Sequence, residues 1–377
     1  MRFWGRWAVA SLAGLMGDTE EMHRLMGEAG TIAAEVRSPV LRLWTAELEI
    51  EYAYAVGDWD GALAQGERAI QFATSLGQKT LLPRLLVWTA TVYIGRGDLE
   101  RGRELVDRAW TLAGLADGEQ RRGDVHVVVP AHLGAAACLL AEGRLEEAIA
   151  IGEAGVKLAD EAGYVFWSLH LLLPIVGEAY LRARNLGAAA KIAERMRRDG
   201  EKIGHRLAMA WADATEAIVS WLSNDVERCI ELLRRAATAL DEIPVRWEAA
   251  RVRRQLAGRL ADAGRRDEAL IELRRVHEIF GDLGAQPELE KCRGMFRELD
   301  SRPPSRIEAE GTSELTPREV EIAAHVSRRL SNKAVAKALD CSPRTVTTHL
   351  SNIYRKLGIA SRGELLDRVR EGRIDLQ

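Results

Sequence analysis

Cysteine is scarce: four residues in 377, at positions 138, 229, 292 and 341, with no Cys-x-x-Cys pair among them. Neither a disulfide framework nor a zinc site is indicated, and the chain reads as cytoplasmic. No basic-then-apolar leader with a cleavage site opens it. Long hydrophobic runs are also missing. The uncharged stretch 162–177 has 16 residues and includes Ser168, His170 and Pro174. A bilayer span needs roughly 20 apolar residues, so a buried helix is expected there and no membrane partner. No Gly-x-x-x-x-Gly-Lys-Ser/Thr loop occurs, which leaves nucleotide binding without support. No alternation of strand and helix patterns occurs either, which argues against a phosphorylatable receiver domain. With His-Glu-x-x-His and Gly-x-Ser-x-Gly absent too, enzymatic activity has no residue-level support and no cofactor is expected.

What is present fits a soluble globular protein long enough for two or more domains: 47% apolar and 29% charged residues. Charge is divided unevenly along the chain. Residues 312–377 carry twelve Lys/Arg against eight Asp/Glu, a net of +4, and the whole chain is −3, so the first 311 residues carry −7. A basic end on an acidic body suits a nucleic-acid-binding module attached to a non-binding domain.

The basic end contains the most informative stretch, Leu315 to Leu357. Thr316-Pro317 with Glu319 forms a capping box that starts one helix. Ser331 caps a second, over 332–339, and Ser342-Pro343 opens a third that runs to Leu357 before Gly358. Two short helices, a turn around Asp340-Cys341 and a longer helix make a helix-turn-helix. On the third helix Val346, Leu350, Ile353 and Leu357 recur at inward spacing. That leaves Thr345, Thr347, Thr348, Ser351, Asn352 and Arg355 on the outer face, followed by Lys356. Hydroxyls, an amide and threonine methyls suit base edges in a major groove. Arg344, Lys333 and the basic end Arg355-Lys356 suit phosphates, which position a module without reading sequence.

These residues, with Leu315-Thr316-Pro317-Arg318-Glu319, Leu330-Ser331-Asn332-Lys333, Ser342-Pro343-Arg344-Thr345-Val346 and Tyr354-Arg355-Lys356-Leu357-Gly358, resemble the LuxR-type DNA-binding domain of bacterial transcription factors. The resemblance covers about a sixth of the chain. It implies that Thr347, Thr348 and Ser351 reach bases and that Lys333, Arg344 and Thr345 hold the backbone. It also implies a fourth helix, over 362–369, where related domains often pair through positions held here by Leu365, Leu366 and Val369. Two departures bear on it. Arg329 stands where the family usually has a turn glycine, and Thr347 or Ser351 stands where a lysine is often found.

Residues 1–300 are a repeat array. Gly17-Asp18, Gly57-Asp58, Gly97-Asp98, Gly143-Arg144, Arg184-Asn185, Asn224-Asp225 and Gly264-Arg265 each separate two helical patterns, at spacings of 40, 40, 46, 41, 40 and 40. A fixed period of this size marks a solenoid. Small residues hold the same register: Ala10, Ala90 and Ala136 seven before their turns, Ala62, Ala148 and Ala189 five after, Ala29, Ala69 and Ala109 twelve after. They let paired helices approach closely. The array resembles the tetratricopeptide repeat with longer helices, and with the basic end it resembles the C-terminal part of large LuxR-family regulators of the MalT type, without their ATP-binding module.

In such a superhelix the first helix of each pair lines a concave wall. The register assigns to that wall Trp4, Trp44, Tyr54, Arg84, Trp211, Trp221, Arg251 and Arg254, along with Trp7, Glu47, Glu51 and Glu178. Exposed tryptophan and arginine together read as a groove for an effector or partner protein. The 46-residue spacing marks an insertion around 117–129, flanked by His126 and His132, which read as ordinary histidines and not as metal ligands. Pro287 starts a further helix that caps the last pair.

The expected architecture is all-α: about seven helix pairs over 1–300, a linker over 301–314 and a four-helix LuxR-type domain over 315–377. The expected function is a bacterial transcription regulator whose solenoid senses an effector or protein partner. Its candidate partners are duplex DNA, a second copy on DNA, and RNA polymerase. The rival is a repeat-based adaptor in which the helix-turn-helix serves only for assembly; retention on random DNA at low salt, lost on deleting 312–377, separates the two.

Overall fold

The computed structural model describes residues 2–116, 124–243, 245–303, 315, 317–328, 330–339, 346, 349–350, 353–354, 356–357, 359 and 362–370. Every regular element among them is a helix. The chain divides into two compact units, Met1–Ser301 and Arg302–Gln377.

The first unit is a run of helix pairs: α1 (Arg2–Met16) with α2 (Thr19–Val36), α3 (Pro39–Val56) with α4 (Trp59–Ser75), α5 (Leu82–Arg96) with α6 (Leu99–Leu112), and α7 (Val125–Ala141) with α8 (Leu145–Glu161). The fifth pair begins with α9 (Val165–Trp167), widens into a π-helical turn over Ser168–Leu172 and continues as α10 (Leu173–Arg182), against α11 (Leu186–Ile203). Then come α12 (Arg206–Leu222) with α13 (Val226–Asp241), α14 (Arg246–Asp262) with α15 (Arg266–Leu283), and a closing α16 (Gln286–Glu298). The seven expected pairs are all present. The insertion differs from expectation in its second part: residues 125–129 are the first turns of α7, started by Asp124, whose carboxylate accepts the His126 amide. Residues 117–123 lie outside the described set.

The repeated turn has a physical reason for each of its residues. All seven turn positions, Gly17, Gly57, Gly97, Gly143, Arg184, Asn224 and Gly264, have φ between 59° and 86°. That left-handed region is free to glycine and tolerable to asparagine, and costs other residues roughly 1–2 kcal/mol. The next residue caps the second helix. Asp18, Asp58, Asp98, Asn185 and Asp225 accept the amide three residues on, at 3.0–3.2 Å. Each such cap contributes about 1 kcal/mol. Arg144 and Arg265 make no side-chain cap. The small positions are fully buried at the pair contacts, Ala10, Ala62, Ala90, Ala136 and Ala148 among them.

The solenoid closes on itself. Tyr54 on α3 donates its hydroxyl to Glu248 Oε1 on α14 at 3.3 Å. Trp59 and Trp247 meet with ring centroids 5.0 Å apart and planes tilted by 54°. Arg96 donates from Nε to the Leu283 carbonyl at 3.0 Å. The first three turns lie along this seam. A Cβ on Gly17 would stand 2.7 Å from Ile243 Cγ2, one on Gly57 3.0 Å from Arg246 Cδ, and one on Gly97 2.6 Å from Pro287 Cγ. Gly17 and Gly97 are therefore required twice, for their φ and for the close approach, whereas at Gly57 the Arg246 side chain would have to give by a few tenths of an ångström. At the later turns a Cβ on Gly264 would meet nothing within 4 Å and one on Gly143 only Arg182 at 3.8 Å, and Arg184 and Asn224 hold the other two positions.

In the second unit α17 (Pro317–Ser327), α18 (Asn332–Ala338) and α19 (Arg362–Arg370) surround a core of Ile322, Val326, Val335, Val346, Leu350, Ile353 and Leu365. Ser331 caps α18 by accepting the Ala334 amide at 3.3 Å. Residues 346, 349–350, 353–354 and 356 are helical. Val346, Leu350 and Ile353 point inward as their spacing requires, and Leu357 packs at the edge of the same core. The linker expected over 301–314 falls beyond residue 303 outside the described residues.

Gly97→Ala and Gly264→Ala carry the same left-handed penalty, with φ of 86° and 75°, but only the first places a methyl against the rigid Pro287 ring. Gly97→Ala should lower the stability of the first unit by about 1–3 kcal/mol more than Gly264→Ala. All ten tryptophans lie in that unit, so urea unfolding followed by their fluorescence measures it. Equal midpoints would mean that the seam is open.

Candidate functional site

Two places in the molecule carry the sequence-based site residues. The first is the basic unit. Of its expected base readers and phosphate holders, Thr347, Thr348, Ser351, Asn352, Arg344, Thr345 and Arg355 lie outside the described residues, as do Arg329 and the side chain of Lys333. Lys356 is described, and it corrects its assignment. Its ammonium donates to Glu319 Oε2 at 2.8 Å, with the two side chains 10% and 5% exposed. Breaking a buried pair strands the remaining charge, so this lysine is held within the domain and is withdrawn from the phosphate contacts. Arg318 and Arg368 are likewise engaged internally, donating to the carbonyls of Leu339 and Leu357 at 2.8 and 2.7 Å. They satisfy carbonyls at helix ends that have no partner within their own helix.

The dimer residues also divide. Leu365 is fully buried within its own domain and so is not available to a second copy. Val369 is partly buried against the same core. Leu366 is half-buried and stands outside that cluster, which makes it the one of the three best placed for an external contact.

The second place is the solenoid wall, which closure turns into an interior. Of its eight assigned residues only Trp4 is substantially exposed, at 45%. Trp4, Trp7 and Trp44 cluster edge to face, with centroids 4.8–6.1 Å apart. Arg84 is 1% exposed, paired with Glu47 and set over the Trp44 ring. Tyr54 and Trp211 are buried. Arg251 pairs with Glu178 and lies between the rings of Trp211 and Trp247, at 5.3 and 5.7 Å. Arg254 pairs with Glu288. Trp221 stacks under the Arg259 guanidinium at 4.5 Å. The expectation of an exposed Trp–Arg groove is therefore corrected. These residues come together, but as an occluded ionic and aromatic network. Neighbouring repeats supply one set of partners and the seam the other.

Within this interior a cleft is lined by Glu51, Tyr54, Trp88, Leu207, Val245 and Glu248, closed at one side by Gly14 and Met22. Glu51 was legible as a wall position six residues before its turn. Glu248 falls outside the repeat register, and no local signal marks it. Burial pushes the Glu51 carboxyl up to about 8, with the charge of Glu47 a further cause. Burial also pushes Glu248 up to about 7. The histidines are ordinary packing groups: His126 bonds the Tyr164 hydroxyl at 2.7 Å, and His132 bonds the Val128 carbonyl at 2.8 Å. Cys138, Cys229 and Cys292 are buried free thiols, with burial pushing them up to about 11, 11 and 12. Cys341 lies outside the described residues.

Comparison with known proteins fits both halves. Residues 313–369 match the family described as bacterial regulatory proteins, luxR family, so the C-terminal unit carries a LuxR-family helix-turn-helix domain. A putative HTH-type transcriptional regulator of Mycobacterium bovis is 54% identical over 59 residues, 16% of this chain and 7% of that protein. The HTH-type transcriptional regulator MalT of Vibrio campbellii is 27% identical over 157 residues, 40% of this chain and 17% of that one. The chain thus matches only a small part of the length of these curated relatives. Among solved structures, a Rap protein complexed with Competence and Sporulation Factor aligns over 100% of this chain and 99% of its own, with a TM-score of 0.59 at 8% identity. The apo form of RapI aligns over 79% and 100%, with a TM-score of 0.51 at 10% identity. These likenesses show the fold, a tetratricopeptide-like helical solenoid.

The buried carboxyls make a pH prediction. A folded-state value raised above the unfolded one, about 4.3 for glutamate, means that the native state binds the proton more tightly. Stability then falls as pH rises from about 4.5 to the folded value, by up to about 1.4 kcal/mol per pH unit for each carboxyl. Glu248 completes this loss near pH 7 and Glu51 near pH 8. His205, which burial lowers to about 4, acts the other way and only below its ordinary range. Between pH 7 and 8, with Glu47 and Arg84 the charged neighbours of Glu51, the native chain should lose about 1 kcal/mol and Glu51→Gln should stay level. Parallel urea-midpoint curves for the two would contradict the burial of that charge.

Proposed function

We propose that the protein is a bacterial DNA-binding transcription regulator in the cytoplasm. Residues 1–300 sense an effector or protein partner, residues 301–314 link, and residues 315–377 bind an operator. The observation that carries this is the LuxR-family match over residues 313–369, which coincides with the basic end of an otherwise acidic chain. The burial of Val346, Leu350 and Ile353 supports it further. On that inward set depends the assignment of Thr347, Thr348, Ser351 and Asn352 to base edges. Arg344, Lys333, Thr345 and Arg355 are assigned to phosphates. Two-fold operators need two recognition helices, so the protein acts on DNA as a homodimer, with Leu366 and Val369 the remaining candidates for its contact. RNA polymerase is a candidate further partner.

The sensing role of the solenoid draws on two likenesses. MalT is a transcriptional regulator, and the Rap protein of the same fold was solved with a factor bound. The ionic and aromatic interior makes a suitable receptor here, because occupancy would tie the two ends of one superhelical turn together. A ligand that binds the closed solenoid better than an opened one shifts the balance by that difference in affinity.

Thr348→Ala and Ser351→Ala should each weaken binding to a selected operator by about 1–3 kcal/mol while leaving random-DNA affinity nearly unchanged. Arg344→Ala and Lys333→Ala should weaken both and reduce the slope of log affinity against log salt by about one each. Titrations of the full chain on both DNAs at several salt concentrations make the measurement. Equal losses on both DNAs for the threonine and serine variants would refute base reading by those residues.

A further inference from the structure

The seam encloses an imbalance of charge. Around the cleft Glu47 takes Arg84 as its partner and Glu178 takes Arg251. That leaves Glu51 and Glu248 with no ion pair of their own, feeling only the charges of Arg84 and Arg251, which are already paired. Glu51 is 6% exposed and makes no hydrogen bond or ion pair with any described residue. Glu248 is 8% exposed; its Oε1 accepts the Tyr54 hydroxyl, and its Oε2 is buried with no hydrogen-bond partner. Both line the same cleft. Buried carboxylates without partners are costly, and folds keep few of them without a use.

We propose that this cleft is a binding site for a small organic cation with a primary ammonium group, held by Glu51 and Glu248 against Tyr54 and Trp88. An ammonium has three N–H donors and no acceptor. The side chains that line the cleft supply acceptors and no cation: the carboxylates of Glu51 and Glu248, and the oxygen of Tyr54, whose proton is given to Glu248 Oε1. The walls add two aromatic rings, Tyr54 and Trp88, and aromatic surroundings attract a desolvated cation. A metal ion fits less well, since no group of three or more His, Cys, Asp or Glu side chains converges among the described residues. The enclosed space is about 20 Å³, room for the ammonium head between Leu207 and Gly14, so a short aliphatic body extends toward the open side of the cleft.

The position of the site gives it a consequence. Glu51, Tyr54 and Trp88 belong to the second and third pairs, whereas Leu207 and Glu248 belong to the sixth and seventh. A bound ammonium therefore joins the two sides of the seam. The inference rests on the sensing role proposed above for its effect on DNA, although the binding itself does not require that role.

The test uses the full chain and n-butylammonium chloride, with butyramide as the uncharged probe of similar length. Calorimetry at pH 8 should show butylammonium binding and no butyramide binding. At pH 6.5, titrations in two buffers of different ionisation enthalpy should show proton release on binding, because the site is then partly protonated. Glu51→Gln and Glu248→Gln, singly and together, keep the shape and remove the charge. Each should weaken butylammonium at least about thirtyfold while the protein stays folded by tryptophan fluorescence. No heat with butylammonium, equal binding of butyramide, or undiminished binding by the folded double variant would overturn the site. Operator affinity measured with and without saturating butylammonium tests the sensing role separately: no change there removes that role and leaves the site standing.

Discussion

The closure of the solenoid on itself is the constraint from which the rest of the first unit follows. Pairs stacked at a 40-residue period would otherwise form an open spiral whose inner wall meets solvent. Here the first three turns press against Ile243, Arg246 and Pro287, and at Gly17 and Gly97 a Cβ would stand closer than 3.0 Å to its neighbour. Once the seam is closed, groups nearly 200 residues apart become neighbours. Tyr54 reaches Glu248, Trp59 reaches Trp247, and Arg96 reaches the end of α15. The interior then has to satisfy charges in low dielectric, where a paired guanidinium is tolerable and a lone carboxylate is not.

Much of this was legible in the chain. The turn register was, because a left-handed turn residue followed by an N-capping carboxylate leaves a Gly-Asp signature wherever both are needed. The small residues at fixed offsets were too, because close helix contact excludes large side chains. Closure was not legible, since it depends on the summed rotation of seven pairs, and no local pattern records that sum. This is why the Trp and Arg residues of the wall read as an exposed groove and prove to be mostly enclosed. The first non-glycine turn residues come only after the first four turns, at Arg184 and Asn224. Gly17, Gly57 and Gly97 keep glycine, while Arg184 and Asn224 show that the same φ can be met with a side chain.

The basic unit divides in a similar way. Helical periodicity identified its inward face correctly, from Val346 to Ile353. It could not show which polar residues the other helices would claim. Lys356 follows a basic residue at the end of the third helix and so reads as a phosphate contact. Its partner is Glu319, 37 residues earlier on α17. Leu365 likewise reads as a surface residue of a pairing helix, yet it fills the domain's own core. Both errors have one cause: periodicity sorts residues by face without telling which face a neighbouring element covers.

The first unit is acidic and closed on itself, and the second is small and basic. Their common feature is that charge has been drawn inward, with the Glu47–Arg84 and Glu178–Arg251 pairs in one unit and the Glu319–Lys356 pair in the other. The most direct test of the account is whether the seam exists in solution. A double-mutant cycle on Trp59→Ala and Trp247→Ala, read by urea unfolding, measures it. The account predicts a coupling energy of about 0.5–1.5 kcal/mol between residues 188 positions apart. Additivity within about 0.3 kcal/mol would contradict it.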